Sequence, residues 1–221
     1  MYYAKNLREY RVSETAQHAA GAAEKFGAAC TSEELSYKVK CETGNPLDLM
    51  ASYARYHDLT IVGARHLFDY GVIDEPKNLL CRLVKEGVQP IIACAEEFRP
   101  IKRTLIAYNG SIESAAAMKK FVQLNLWLEV QTRIVYFAKE TASSRQLLEE
   151  AAEYCKLYGF NPETSLIDED PKEGILSQAA QWDADIIVMG NSDLSPLVSQ
   201  IFEDTTLHAI KHADRALFLA Q

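Results

Sequence analysis

A doubly wound α/β fold built on a parallel sheet is what this sequence predicts, and three observations predict it. Short runs at 104–108 (TLIAY), 186–189 (IIVM) and 216–220 (ALFLA) are apolar almost throughout, the pattern of strands covered on both faces. Between such runs lie longer segments with apolar residues at helical spacing, bounded by turn and cap residues. The chain also repeats itself. Residues 44–63 (GNPLDLMASYARYHDLTIVG) align with 169–190 (EDPKEGILSQAAQWDADIIVMG), and 79–94 (LLCRLVKEGVQPIIAC) with 206–220 (TLHAIKHADRALFLA), a period of about 126 residues.

The second half gives the more complete series. A strand at 104–108 turns through Asn109, Gly110 and Ser111 into a helix reaching about Asn125, and a second strand follows at 128–137. The helix at 140–158 has Leu147, Leu148, Ala151, Ala152 and Cys155 on one face, and Gly159 stands where a left-handed cap is needed. A strand at 163–167, a helix at 171–182 with proline in its first turn, a strand at 186–189, a helix near 202–212 and a strand at 216–220 complete it. Strand and helix alternate, so the crossovers are right-handed and the strands parallel. The first half reads as a helix at 12–26, a strand at 35–41 and the segments matched above, with no counterpart of the TLIAYNGS strand, its helix or the next strand. A joint at 95–103 (AEEFRPIKR) separates a partial domain at 1–98 from a complete one at 99–221.

Composition excludes several classes. A net charge of −8 without a Lys/Arg block gives little attraction to nucleic acid or to an anionic membrane surface. No apolar run approaches the roughly 20 residues of a spanning helix, and the first ten residues lack a signal-peptide core, so a cytoplasmic location is expected. Five cysteines without CxxC spacing point to reduced structural thiols. GxSxG, Walker A and HExxH motifs are absent, and Ser111 and Ser114 have no evident base, so no catalytic residue and no enzyme activity are expected. His208 and His212 have the i, i+4 spacing that can hold zinc, but no third ligand is apparent and no metal site is expected.

The strand-turn LIAYNGS followed by Ser114, the EDPKEGIL turn-helix, the DIIVMG strand and the closing IKHADRALFLA together make residues 104–221 similar to the universal stress protein family. The resemblance implies an adenine nucleotide α-hydrolase-like fold with a five-stranded sheet in the order 3-2-1-4-5. It also implies a tandem-repeat member whose first repeat is a partial copy. Nucleotide-binding members carry G-x2-G-x9-G-(S/T) after the fourth strand, because glycine lets backbone N–H groups approach phosphate. At the matching positions this chain has Gly190, then Asp193, Glu203 and Asp204, with Thr205 following. Asn109 replaces the family's usual Asp, whereas Gly110 and Ser111 are retained. The first half, with Ala64, Arg65 and His66 after Gly63, is no better provided.

These departures lead to the expectation of a degenerate nucleotide site formed by Asn109, Gly110, Ser111, Gly190, Asp193, Glu203, Asp204 and Thr205, with no cofactor. The three carboxylates read as caps of the following helix, or alternatively as ligands for Mg²⁺ or Ca²⁺. The corresponding function is a non-catalytic stress-response or regulatory protein acting through protein partners, as a homodimer. The alternative is a sensor that binds ATP or AMP. Two geometric expectations accompany this reading. The closing strands at 90–93 and 216–220 lie together, since each is otherwise an open edge. Residues 35–41 pair with 60–62, or a strand from residues 1–5 or from a second chain fills the gap.

Overall fold

The computed structural model describes residues 17, 19–63, 83, 88, 90–95, 97–127, 129–190, 205–206, 208–209 and 212–220. The chain divides into two compact units, Met1–Asn45 and Pro46–Gln221.

In the first unit, residues 19–32 are helical. The helix closes with the N–H of Leu35 donating to the carbonyl of Cys30 at 2.8 Å, and Glu34 takes a left-handed φ of 54°. That reversal returns Tyr37 onto the helix, where its ring meets Phe26 edge-on at 6.0 Å. Residues 35–43 form no strand, and Leu35 and Tyr37 remain 60% and 46% exposed. The strand expected at 35–41, and with it the ladder to 60–62, is therefore corrected. The alternation of Leu35, Tyr37 and Val39 is present, but one aromatic contact with the preceding helix takes the place of a sheet. Residues 1–5, the other candidate strand, lie outside the described residues.

The second unit is a seven-stranded sheet. Its strands are β1 (Thr60–Gly63), β2 (Ile91–Cys94), β3 (Arg103–Tyr108), β4 (Gln131–Phe137), β5 (Glu163–Ile167), β6 (Ile186–Gly190) and β7 (Ala216–Ala220), in the order β1-β2-β7-β6-β3-β4-β5. Strands β3 to β7 are mutually parallel and keep the expected order 3-2-1-4-5. The sheet differs in detail from a five-stranded one because β1 and β2, parallel to each other, extend it through an antiparallel β2–β7 ladder. Ile92 faces Phe218 there, so the closing strands lie together as expected, and β7 has both edges paired.

Helices α1 (Pro46–Ala54), α2 (Ile112–Leu124), α3 (Ala142–Leu157) and α4 (Pro171–Gln181) cover the faces. Side chains alternate along the strands, so two cores form. On one face Leu105, Ile187, Leu217 and Leu219 pack with Ile175 and Ala179 of α4 and with Leu47 of α1. On the other, Ile106, Ile134, Val188 and Phe218 pack with Phe121 and Val122 of α2 and with Leu148 and Ala151 of α3. Burial pushes the Cys155 thiol in this second core up to about 12, which makes it an unreactive apolar filler. Among the described residues no helix is long and apolar enough to cross a membrane.

Candidate nucleotide site

The chain leaves β3 to form β4 on one side and leaves β6 to form β7 on the other, so the sheet has its topological switch point between β3 and β6. In an open α/β sheet the carboxyl ends of such a strand pair splay their loops apart and leave a crevice. A cavity of about 40 Å³ lies there. Its apolar wall includes Tyr108, Phe137, Ile175 and Met189, and its polar wall Asn109, Ser111, Thr205 and Thr206.

Of the residues singled out in the sequence, Asn109, Ser111, Gly190 and Thr205 meet at this cavity. Gly110 is not part of the cavity wall. Its φ of 76° is one that L side chains rarely adopt, and a Cβ there would come within 3.1 Å of a Leu147 methyl. Asp193, Glu203 and Asp204 lie outside the described residues. Sequence reasoning missed Phe137 and Ile175, which come from β4 and α4. Phe137 ends a predicted parallel strand, the position from which such crevices are built.

The polar groups at the turn are engaged with one another. The N–H of Ser111 donates to Oδ1 of Asn109 at 2.9 Å, and the Ser111 hydroxyl accepts from the N–H of Ser114 at 3.1 Å, which caps α2. The Ser114 hydroxyl donates back to the carbonyl of Ser111 at 3.0 Å. Ser111→Ala is expected to lower stability by about 1 kcal/mol, read as a shifted urea midpoint at constant slope.

Gly190 is held by packing. A Cβ on it would fall 2.5 Å from the carbonyl carbon of Glu113 and 2.6 Å from the nitrogen of Ser114, in the first turn of α2. The charge balance is also informative. Among the described residues of the wall there is no lysine or arginine, and Glu113 is the charged member. Burial, with help from Glu150 and Tyr136, raises the Tyr108 phenol above its ordinary value, so it stays a neutral hydroxyl. The described wall therefore suits an uncharged or weakly charged polar ligand with an apolar face better than a bare polyphosphate.

The sequence profile of the universal stress protein family matches residues 100–219. Among solved structures, a universal stress protein from Archaeoglobus fulgidus DSM 4304 is similar over 95% of this chain and 78% of its own, with a TM-score of 0.69 and 14% identity. A universal stress protein in complex with cAMP is similar over 56% of this chain and 98% of its own, at 18% identity and a TM-score of 0.48. An Arabidopsis thaliana family protein with AMP bound covers 54% of this chain and 90% of its own, at 17% identity and a TM-score of 0.41. No curated protein matches the sequence at a significant level. With more than half of its length matched by the family profile and its fold shared with the Archaeoglobus protein, the chain belongs to the universal stress protein family.

Proposed function

We propose that this protein is a non-catalytic regulatory member of its family that takes the nucleoside part of an adenine nucleotide in the crevice at the carboxyl ends of β3 and β6, without a dedicated grip on phosphate. The cavity at the switch point carries this reading, with its apolar wall on one side and Asn109, Ser111, Thr205 and Thr206 on the other. Sites for small organic ligands have this mixture of apolar surface and a few placed polar groups. Such sites usually exceed roughly 300 Å³, so a nucleoside must widen the crevice as it enters. Phosphate is disfavoured because Glu113 is at the wall and the sequence places Asp193, Glu203 and Asp204 where phosphate-binding members have Gly, Gly and Ser/Thr. Each carboxylate 4 Å from a phosphate charge costs about 1 kcal/mol in water and about 4 kcal/mol near a protein surface.

A second reading, in which the protein acts through protein partners with no nucleotide, is favoured by the turn itself. Asn109, Ser111 and Ser114 already satisfy one another, and Gly190 is explained by its contact with α2. Cytoplasmic location and homodimeric assembly belong to either reading. So does a tandem origin, with 1–98 a reduced first repeat and 99–221 a complete second one. Its support is that α1, β1 and β2 align in sequence with α4, β6 and β7, and that β1–β2 pairs parallel as β6–β7 does.

Thermal melts with adenosine, AMP and ATP, each with and without Mg²⁺, separate the two. A ligand at 100 times its Kd stabilises by about 2.7 kcal/mol. Adenosine and AMP are expected to raise the melting temperature, and ATP to bind no more tightly than AMP. Unchanged melting with all three at millimolar concentration discards the nucleotide reading and leaves the second. Tighter binding of ATP than of AMP refutes the claim that phosphate is not gripped.

A further inference from the structure

The strand pairs β1–β2 and β6–β7 correspond residue by residue. TIVG of β1 aligns with IVMG of β6, and IIAC of β2 with LFLA of β7. The registers agree, since Ile61 faces Ile92 in one pair and Val188 faces Phe218 in the other. The sides of the sheet agree as well: Val62 and Met189 belong to the first core, Ile92 and Phe218 to the second. What differs is the cover. Val188 and Phe218 are fully buried where α2 packs on them, whereas Ile61 is 63% exposed. No segment of the first half aligns with α2. Ile61 and Ile92 instead line a groove of about 610 Å³, together with Cys94, Phe98, Ile101 and Trp127. Phe98 is 90% exposed at its rim.

A glycine marks what the groove admits. Gly63 aligns with Gly190, whose missing Cβ makes room for the backbone of Glu113 and Ser114 in the first turn of α2. Gly63 is exposed, and the described glycines with a left-handed φ are Gly110 and Gly159, so its own backbone does not call for glycine. We propose that the β1–β2 face receives an amphipathic helix of a partner protein, laid as α2 lies on β6 and β7. The buried positions of α2 are Ser114, Ala117, Met118, Phe121 and Val122, the i, i+3, i+4, i+7, i+8 spacing of a helix seated in a groove. The partner helix therefore carries small residues at the first two of these positions, beside Gly63, and bulky apolar ones at the other three. A second copy is a poorer source. Helices α1 to α4 already bury their apolar faces in their own cores, and the helix at 19–32 has Phe26 as its one bulky apolar residue. Apolar contact carries the affinity, because Glu97 and Arg99 at the groove are of opposite sign and Arg215 is engaged with Asp214. Helix docking here needs the correspondence of the two strand pairs and neither reading of the nucleotide crevice.

The probe is a fluorescent synthetic peptide of residues 109–125, the chain's own α2, added to the full-length protein. Isolated helices of this length are marginal in water, so the peptide is stapled between positions 119 and 123, which are exposed on α2. Fluorescence anisotropy is expected to show one saturable site, and a peptide with Phe121→Asp is expected not to bind. Ile61→Lys and Gly63→Ala are expected to weaken binding about tenfold or more, the first by removing an apolar anchor and the second by crowding the first turn. Both positions are exposed, so both variants are expected to melt as the parent does. No binding of the stapled peptide to the parent overturns the proposal, as does unchanged affinity in both variants, since the peptide then binds elsewhere. A clear drop in the melting temperature of Gly63→Ala means that the chain's own atoms crowd this glycine, and overturns it too. A parent dimer that falls to monomer in Ile61→Lys assigns the face to a second copy and likewise overturns it.

Discussion

Replacing Gly190 by alanine is expected to destabilise the protein by about 3 kcal/mol, the upper end of what overpacking usually costs. The added methyl would stand 2.5 Å from the carbonyl carbon of Glu113 and 2.6 Å from its oxygen and from the nitrogen of Ser114. These are backbone atoms in the first turn of a capped helix, so no side-chain rotation relieves the contact. Strand β6 cannot retreat either, because β3 and β7 are bonded on its two sides. Relief must come from lifting α2 away, which opens the contact of Phe121 and Val122 with Val188 and Phe218 in the second core. For a chain of this length the melting temperature should fall by about 6–12 °C. If Gly190 is present only to admit phosphate, the alanine variant melts as the parent does and differs in ligand binding alone. A melting temperature unchanged within error would therefore return this glycine to a ligand role.

The contrast between those roles marks where the sequence stopped being informative. Motif position identified Asn109, Ser111, Gly190 and Thr205, and the structure gathers all four at one cavity. Motif position could not tell whether Gly190 serves a phosphate or the close approach of α2, because that depends on Glu113 and Ser114, some 76 residues away in sequence. The strands β3, β6 and β7 were legible because they are buried on both faces and so carry unbroken apolar runs. The β2–β7 ladder was legible from the cost of leaving two apolar edges open. Residues 35–41 were misread because alternation reports a capacity to pair, and pairing also needs a neighbouring strand. Phe137 and Ile175 were not singled out because apolar residues that line a crevice look in sequence like any other core residues. Arg215 was equally opaque. An arginine just before a strand is ordinarily solvated, yet this one is 8% exposed.

That burial makes Arg215→Leu the second substitution with a large expected effect, a loss of about 3 kcal/mol, since a hydrogen bond to a charged group contributes about 1.5–3 kcal/mol. Nη1 of Arg215 donates to the carbonyls of Ala179 at 2.7 Å and Ala184 at 2.9 Å, while Nε donates to Asp214 at 2.7 Å. Ala179 lies near the C-terminal end of α4 and Ala184 in the turn leading to β6, so one guanidinium fastens helix, turn and the start of β7 together. The placement also sets a cation against the negative end of the helix dipole. Leucine keeps the apolar stem but removes both donors. Ala179 still accepts from the N–H of Ala184 at 2.8 Å, which leaves the buried Ala184 carbonyl as the main loss. Arg215→Lys should recover only part, because a single ammonium lacks the planar fork that serves several acceptors at once. Asp214→Asn should change stability by less than about 0.5 kcal/mol, since that carboxylate is largely solvated. The turn matters beyond its own stability, because Asp185 beside it accepts from the N–H groups of Lys102 and Arg103 at 2.8 and 2.9 Å and so helps set β3 against β6. Urea unfolding of the three variants should give the order leucine, lysine, then asparagine nearest to the parent. A leucine variant as stable as the parent would mean that water or a shifted turn replaces the guanidinium, and the clamp would then have no energetic role.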